Sequence, residues 1–271
     1  MKLLIDGHEA YAYTGGKPFD PTLPCVVFIH GALNDHSVWT LLARWYAHHG
    51  HAVLVPDLPG HGRSGGAPLA SVEALGAWVL KLLDAAGAAR AAWVGHSMGS
   101  LIALEAAAQS PQRAWALVMV GTAYPMKVSA ALLDTARERP EAAMAMVNQF
   151  SHALPSAKPG YPGPGHWLRG GSLALMRRLQ ARQTGVNLFE NDFLVCDRYS
   201  AGLQAAERIC CPTGFILGQQ DQMTRPEAAA ALIGALPGTQ VHTLPCGHDL
   251  MGEDPEGLLR QLRATLPAAP R

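Results

Sequence analysis

Short, wholly apolar runs alternate with amphipathic stretches along most of this chain, and that alternation restricts the fold more than any other feature. Cys25–Ile29, Ala52–Val55, Ala91–Val94, Leu117–Val120 and Gly214–Leu217 each have the length and unbroken hydrophobicity of a strand buried on both faces. Helical patterns lie between them. Val38, Leu42, Trp45 and Tyr46 mark the first. Ser71 is a good N-cap for the second, where Val72, Leu75, Val79 and Leu82 recur at helical spacing. The third runs from Met98 to about Ser110, where Pro111 stops it. This order predicts an α/β fold: a mostly parallel central sheet with helices on both faces, joined by right-handed crossovers.

Leu3–Ile5 and Glu9–Tyr13 read as an opening hairpin. Near the other end, Thr224 with Glu227 predicts a capping box with Pro226 in the first turn, and Gln240–Leu244 reads as the last strand. Asp254-Pro255-Glu256 caps a final helix that buries Leu258, Leu259, Leu262 and Leu266. The alternation lapses between Tyr124 and Arg208, where Leu132, Leu133 and Ala136, then Met144 and Val147, then Leu173, Met176 and Leu179, then Phe189, Phe193 and Cys196 suggest helices only. About eighty residues without a strand exceed any ordinary loop. Residues 124–208 are therefore expected to form a helical cap inserted into a core made of 1–123 and 209–271, with Pro155–Gly165 its most irregular and mobile part.

Composition narrows the partners. Of 271 residues, 49% are apolar and 15% charged, enough for a substantial core. Lys plus Arg equals Asp plus Glu, 21 against 21, so no basic field draws in nucleic acid or anionic lipid, and a small-molecule partner fits better. No stretch approaches the roughly 20 apolar residues of a membrane span. The apolar run in Met1–Asp6 is too short for a signal peptide core, so the expected location is the cytoplasm. The five cysteines are odd in number and lack C-x-x-C spacing, which suggests neither a disulfide framework nor a metal site. Nothing in the sequence sets an oligomeric state.

Gly95-His96-Ser97-Met98-Gly99 falls where a predicted strand meets a predicted helix. A G-x-S-x-G turn at such a junction is tight enough to exclude side chains at both glycines and to lift the serine hydroxyl clear of the sheet. The helix N-terminus there favours an oxyanion, and the Met98 N–H is one candidate donor to it. A serine hydroxyl is a poor nucleophile at neutral pH and needs a base, which in turn needs a carboxylate to hold its tautomer. Asp221 lies just past the Gly214–Leu217 strand, and His248 just past the last strand, in the order serine, acid, histidine. Asp192, Asp249 and Asp254 are rival acids. Asp249 adjoins the histidine, Asp254 fits a helix cap and Asp192 belongs to the insertion.

His30-Gly31-Ala32-Leu33 closes the Cys25–Ile29 strand and can supply the second oxyanion donor, the Ala32 N–H. His30 holds this turn by hydrogen bonds and, with Gly31, Leu33 and Trp167, is a candidate wall of the substrate site. Asp57-Leu-Pro-Gly60-His-Gly62-Arg63-Ser64 reads as a scaffold turn after a strand.

With His30-Gly31, the Asp57–Ser64 loop, Gly95–Gly99, Gly218–Asp221 and Gly247-His248 in this order, the chain resembles the α/β-hydrolase fold family over nearly its whole length. It looks most like the small bacterial capped serine hydrolases, which include carboxylesterases, enol-lactone hydrolases, C–C bond hydrolases and cofactor-free haloperoxidase-like enzymes. The resemblance implies hydrolysis of a carboxylic ester or lactone through an acyl-enzyme at Ser97 with no cofactor, since water suffices, and the Met, Leu and Phe content of the insertion, with Trp167 and Tyr161, suggests an apolar or aromatic substrate. Members that act as epoxide hydrolases or dehalogenases carry aspartate at the elbow, and Ser97 stands against those chemistries. A C–C hydrolase and a non-hydrolytic small-molecule receptor on the same fold are the alternatives.

Overall fold

A computed structural model describes residues 1–268. Its sheet has eight strands: β1 (Lys2–Ile5), β2 (His8–Tyr13), β3 (Cys25–Ile29), β4 (Ala52–Pro56), β5 (Ala91–His96), β6 (Ala114–Val120), β7 (Thr213–Gly218) and β8 (Gln240–Leu244). Their order is β1-β2-β4-β3-β5-β6-β7-β8, with β1 and β2 antiparallel and every pair from β4 to β8 parallel. The five runs recognised as doubly buried strands are β3 to β7, and every residue of each is buried. β8 closes the edge and leaves most of its residues exposed or half-buried.

The two-residue period of a strand sorts the core into two layers. In β3, Cys25, Val27 and Ile29 face one cluster while Val26 and Phe28 face the other. The first layer packs against α2 (Val72–Ala85) and α3 (Met98–Gln109), and the second against α1 (Thr40–His48) and α11 (Pro255–Thr265). Ser71 Oγ accepts the Ala74 N–H at the start of α2, and the Asp254 carboxylate accepts the Gly257 N–H at the start of α11. α3 is buried nearly all round. Its position on the sheet between two helical neighbours explains why it carries no polar stripe.

Between β6 and β7 the described residues hold no strand, only α4 (Ala130–Glu138), α5 (Pro140–Ser151), α6 (Leu168–Arg182), α7 (Leu188–Arg198), α8 (Gly202–Ala206) and a 3-10 turn at Leu154–Ala157. Met144, Met176, Leu179, Phe189 and Phe193 form a third cluster there. Val195, Cys196 and Tyr199 instead join the first sheet layer, so the end of α7 is stitched to the core. The expected capping box at Thr224 does not form. Arg225 precedes a 3-10 turn at Pro226–Ala229 that leads into α9 (Ala230–Ala235), and the Thr224 hydroxyl is drawn to other partners.

Candidate active site

β5 ends at His96 and α3 begins at Met98, so Ser97 alone makes the turn. It sits at φ 53°, ψ −122°. Left-handed backbone costs a non-glycine residue about 1–3 kcal/mol and persists only where its surroundings impose it. Here the Ser97 N–H donates to Val120 O at 2.9 Å and the Ser97 carbonyl accepts the Ser100 N–H at 2.8 Å. A Cβ on Gly95 would run into the Gly99 carbonyl oxygen, and one on Gly99 into that of Ile29. The G-x-S-x-G spacing is thus a packing requirement of strand, turn and helix together.

His248 follows β8 and precedes α10 (Leu250–Glu253). Its Nδ1 lies 2.8 Å from Asp221 Oδ2 and 3.0 Å from Thr224 Oγ1. The carboxylate can only accept, so Nδ1 carries the proton and Nε2 presents a lone pair. Burial pushes the Asp221 carboxyl up, but the neighbouring His248 and the hydrogen bonds from His248 and Thr224 outweigh it, and its pKa is lowered overall. Asp221 Oδ1 also accepts the backbone N–H groups of Met223 and Thr224, both at 2.8 Å. The main chain of His248 is held at both ends: its N–H donates to Ser151 O at 2.8 Å, and its carbonyl accepts from His96 Nε2 at 2.8 Å. Burial, then the adjacent His248, lowers the His96 pKa to about 3. The ring beside His248 therefore stays neutral.

Residues 26–261 match the alpha/beta hydrolase family. The chain belongs to that family. A putative carbamate hydrolase, RutD, from Klebsiella pneumoniae is 28% identical over 236 residues, covering 84% of this chain and 85% of that protein. A pimeloyl-(acyl-carrier protein) methyl ester esterase from the same species is 38% identical over 97 residues, 36% of each chain. The enol-lactonase of Burkholderia xenovorans superposes with a TM-score of 0.82 at 22% identity, covering 98% of this chain and 99% of its own, which is a likeness of fold.

In this alpha/beta hydrolase Ser97 and His248 line one cavity of about 1010 Å³, with Asp221 behind the histidine. Among the described residues Ser97 Oγ makes no hydrogen bond, so the two side chains share the cavity without a closed Ser–His contact. Catalytic hydrogen bonds are often long before substrate binds. Gly31, Ala32 and Trp167 line the same cavity, and Trp167 is exposed at it. Met98 is fully buried and contributes no side-chain wall, leaving only its backbone N–H beside Ser97.

Two expected walls are placed elsewhere. His30 is fully buried and its Nε2 accepts the Leu58 N–H at 3.1 Å, which ties the turn after β3 to the loop after β4. Leu33 packs into the third hydrophobic cluster with Phe189 and Phe193. Neither lines the cavity, because a wholly apolar side chain and a ring already hydrogen-bonded are both better satisfied in the interior.

Sequence reasoning missed Thr224, His96 and Ser151. Thr224 carried a signal, three residues after the acid, but the capping pattern absorbed it. Its hydroxyl reaches Asp221 Oδ2 at 2.7 Å and Gly121 O at 2.9 Å. Thr224→Val keeps the shape and removes this buried donor. Stability to urea is expected to fall by about 1–3 kcal/mol and kcat by about tenfold, equivalent to about 1.4 kcal/mol of barrier. Unchanged values in both measurements would show the hydroxyl to be idle.

Asp35, His36 and Asp57 also converge, with ligand atoms within 4.8 Å of one another. Donors already fill them. Asp57 accepts the His36 N–H and imidazole and the Arg63 N–H, while Asp35 accepts Ser37 and Arg178. This is the anchor of the Asp57–Ser64 turn, as its scaffold reading anticipated. No helix among the described residues is long and apolar enough to cross a membrane.

Proposed function

We propose that the protein is a serine hydrolase that cleaves a small carboxylic ester or lactone through an acyl-enzyme. The observation that carries this is the 2.8 Å contact of His248 Nδ1 with buried Asp221, which frees Nε2 in the cavity that Ser97 also lines. In the first step Ser97 Oγ bonds to the substrate carbonyl carbon as its proton passes to His248 Nε2, and the Ala32 and Met98 N–H groups stabilise the oxyanion. Collapse breaks the carbon–oxygen bond of the ester, and the leaving alcohol takes the proton from His248. Water, deprotonated by the same nitrogen, then displaces Ser97 and releases the acid.

Helices α4 to α7 act as the cap. With the segments that join them, they place Met126, Val128, Leu132, Phe150, Trp167 and Leu175 along the cavity, which suits an apolar or aromatic group next to the scissile bond. The esterase and lactonase names among similar proteins support this substrate class. The test is stoichiometric labelling of Ser97 by a fluorophosphonate, together with a turnover screen of p-nitrophenyl esters, lactones and ring-cleavage diketones. Labelling with ester or lactone turnover is the expected result. Turnover of diketones alone would transfer the enzyme to C–C cleavage, and tight binding with neither labelling nor turnover would make it a receptor.

A further inference from the structure

Asp192, set aside as a rival acid because it belongs to the insertion, is 1% exposed and meets the loop that follows β3. Its Oδ2 accepts the Leu33 N–H at 2.9 Å across 159 residues of chain. The same oxygen lies 2.9 Å from His61 Nε2, while His61 Nδ1 lies 3.0 Å from Pro59 O. Both nitrogens of His61 face groups that only accept, so both carry protons and the ring is an imidazolium paired with Asp192. Burial alone would lower the His61 pKa, but the Asp192 charge and hydrogen bond reverse the sign and raise it. Leu33 itself sits at φ 50°, left-handed backbone that a leucine does not hold unaided.

We propose that Asp192 on α7 is a positioning residue for the oxyanion site: by holding the Leu33 N–H it fixes the turn that aims the neighbouring Ala32 N–H into the cavity, with His61 as its counter-charge. The proposal rests on the serine-hydrolase reading for its kinetic consequence and on geometry alone for its structural one. A charged acceptor makes the stronger hydrogen bond to a backbone amide, and this one bridges α7 to the core loop. Docking of the insertion and assembly of the oxyanion site thereby become one event.

Asp192→Leu removes the acceptor while keeping the branching of the side chain, and Asp192→Asn keeps a carbonyl oxygen while withdrawing the charge. With p-nitrophenyl butyrate, kcat is expected to fall about 10²-fold in the leucine variant and about tenfold in the asparagine variant, with KM within about threefold. A loss of folding alone would lower active-site titre without this split. Hydrogen exchange of residues 31–34 in Asp192→Asn is expected to accelerate about tenfold while the β3–β7 amides stay protected. Wild-type kcat in a folded leucine variant, or unchanged exchange at 31–34 in the asparagine variant, overturns the proposal. The exchange measurement needs no turnover, so it decides the matter even if Ser97 takes no fluorophosphonate, a result that would defeat the hydrolase reading instead.

Discussion

Purified Ser97→Ala is expected to hydrolyse p-nitrophenyl butyrate with kcat reduced on the order of 10⁴–10⁶-fold, with its thermal midpoint close to that of the wild type. The turn is held by the Ser97 main chain, through Val120 O and the Ser100 N–H, and by the missing side chains at Gly95 and Gly99. Alanine keeps all of these and loses only the hydroxyl. The residual rate over water would come from the Ala32 and Met98 N–H groups and from substrate binding, which survive the substitution. A variant that retained more than a few per cent of wild-type kcat would place the nucleophile elsewhere.

Asp221→Asn is expected to cost about 10⁴ in kcat while leaving the cavity intact. The asparagine amide would turn an N–H toward His248 Nδ1 or lose its own hydrogen bonds from Met223 and Thr224, which now fill Oδ1 at 2.8 Å. In the first arrangement Nδ1 becomes an acceptor and the ring proton moves to Nε2, where it blocks removal of the Ser97 proton. Thr224 Oγ1 lies near enough to accept a hydrogen bond from an Nδ1–H, so a rate well above this expectation would show the threonine sharing the orienting role. The lowered Asp221 pKa has a directional consequence for the wild type. Its carboxyl keeps its charge to lower pH than a free aspartate, so the contact with His248 Nδ1 persists further into acid than an unperturbed carboxylate would allow.

The fold was legible because its signals are local. A run such as Cys25–Ile29 declares a doubly buried strand by its own composition, and Ser71 and Asp254 cap α2 and α11 through bonds to residues three positions away. Thr224 shows where local signals mislead. Its capping pattern was real, yet three polar groups, Asp221, Gly121 O and His248, compete for the same hydroxyl and hold it. Leu33 and His30 mislead in another way, since nearness in sequence to a cavity-lining residue such as Gly31 or Ala32 does not say which way a side chain turns.

Of the candidate site, the sequence by itself determined the chemical types and their order: a serine between glycines at a strand-to-helix junction, then an acid and a histidine after later strands. Those follow from the steric limits of the turn and from the topology of a parallel sheet. Tertiary structure alone decided what braces them. Ser151 O on the His248 N–H, His96 on the His248 carbonyl and Asp192 on the Leu33 N–H join residues about 97 to 159 positions apart. Periodicity reports only which face of an element is apolar. Which buried polar group meets which depends on how α5 and α7 settle on the sheet, and each such group must find a partner or bear the cost of desolvation.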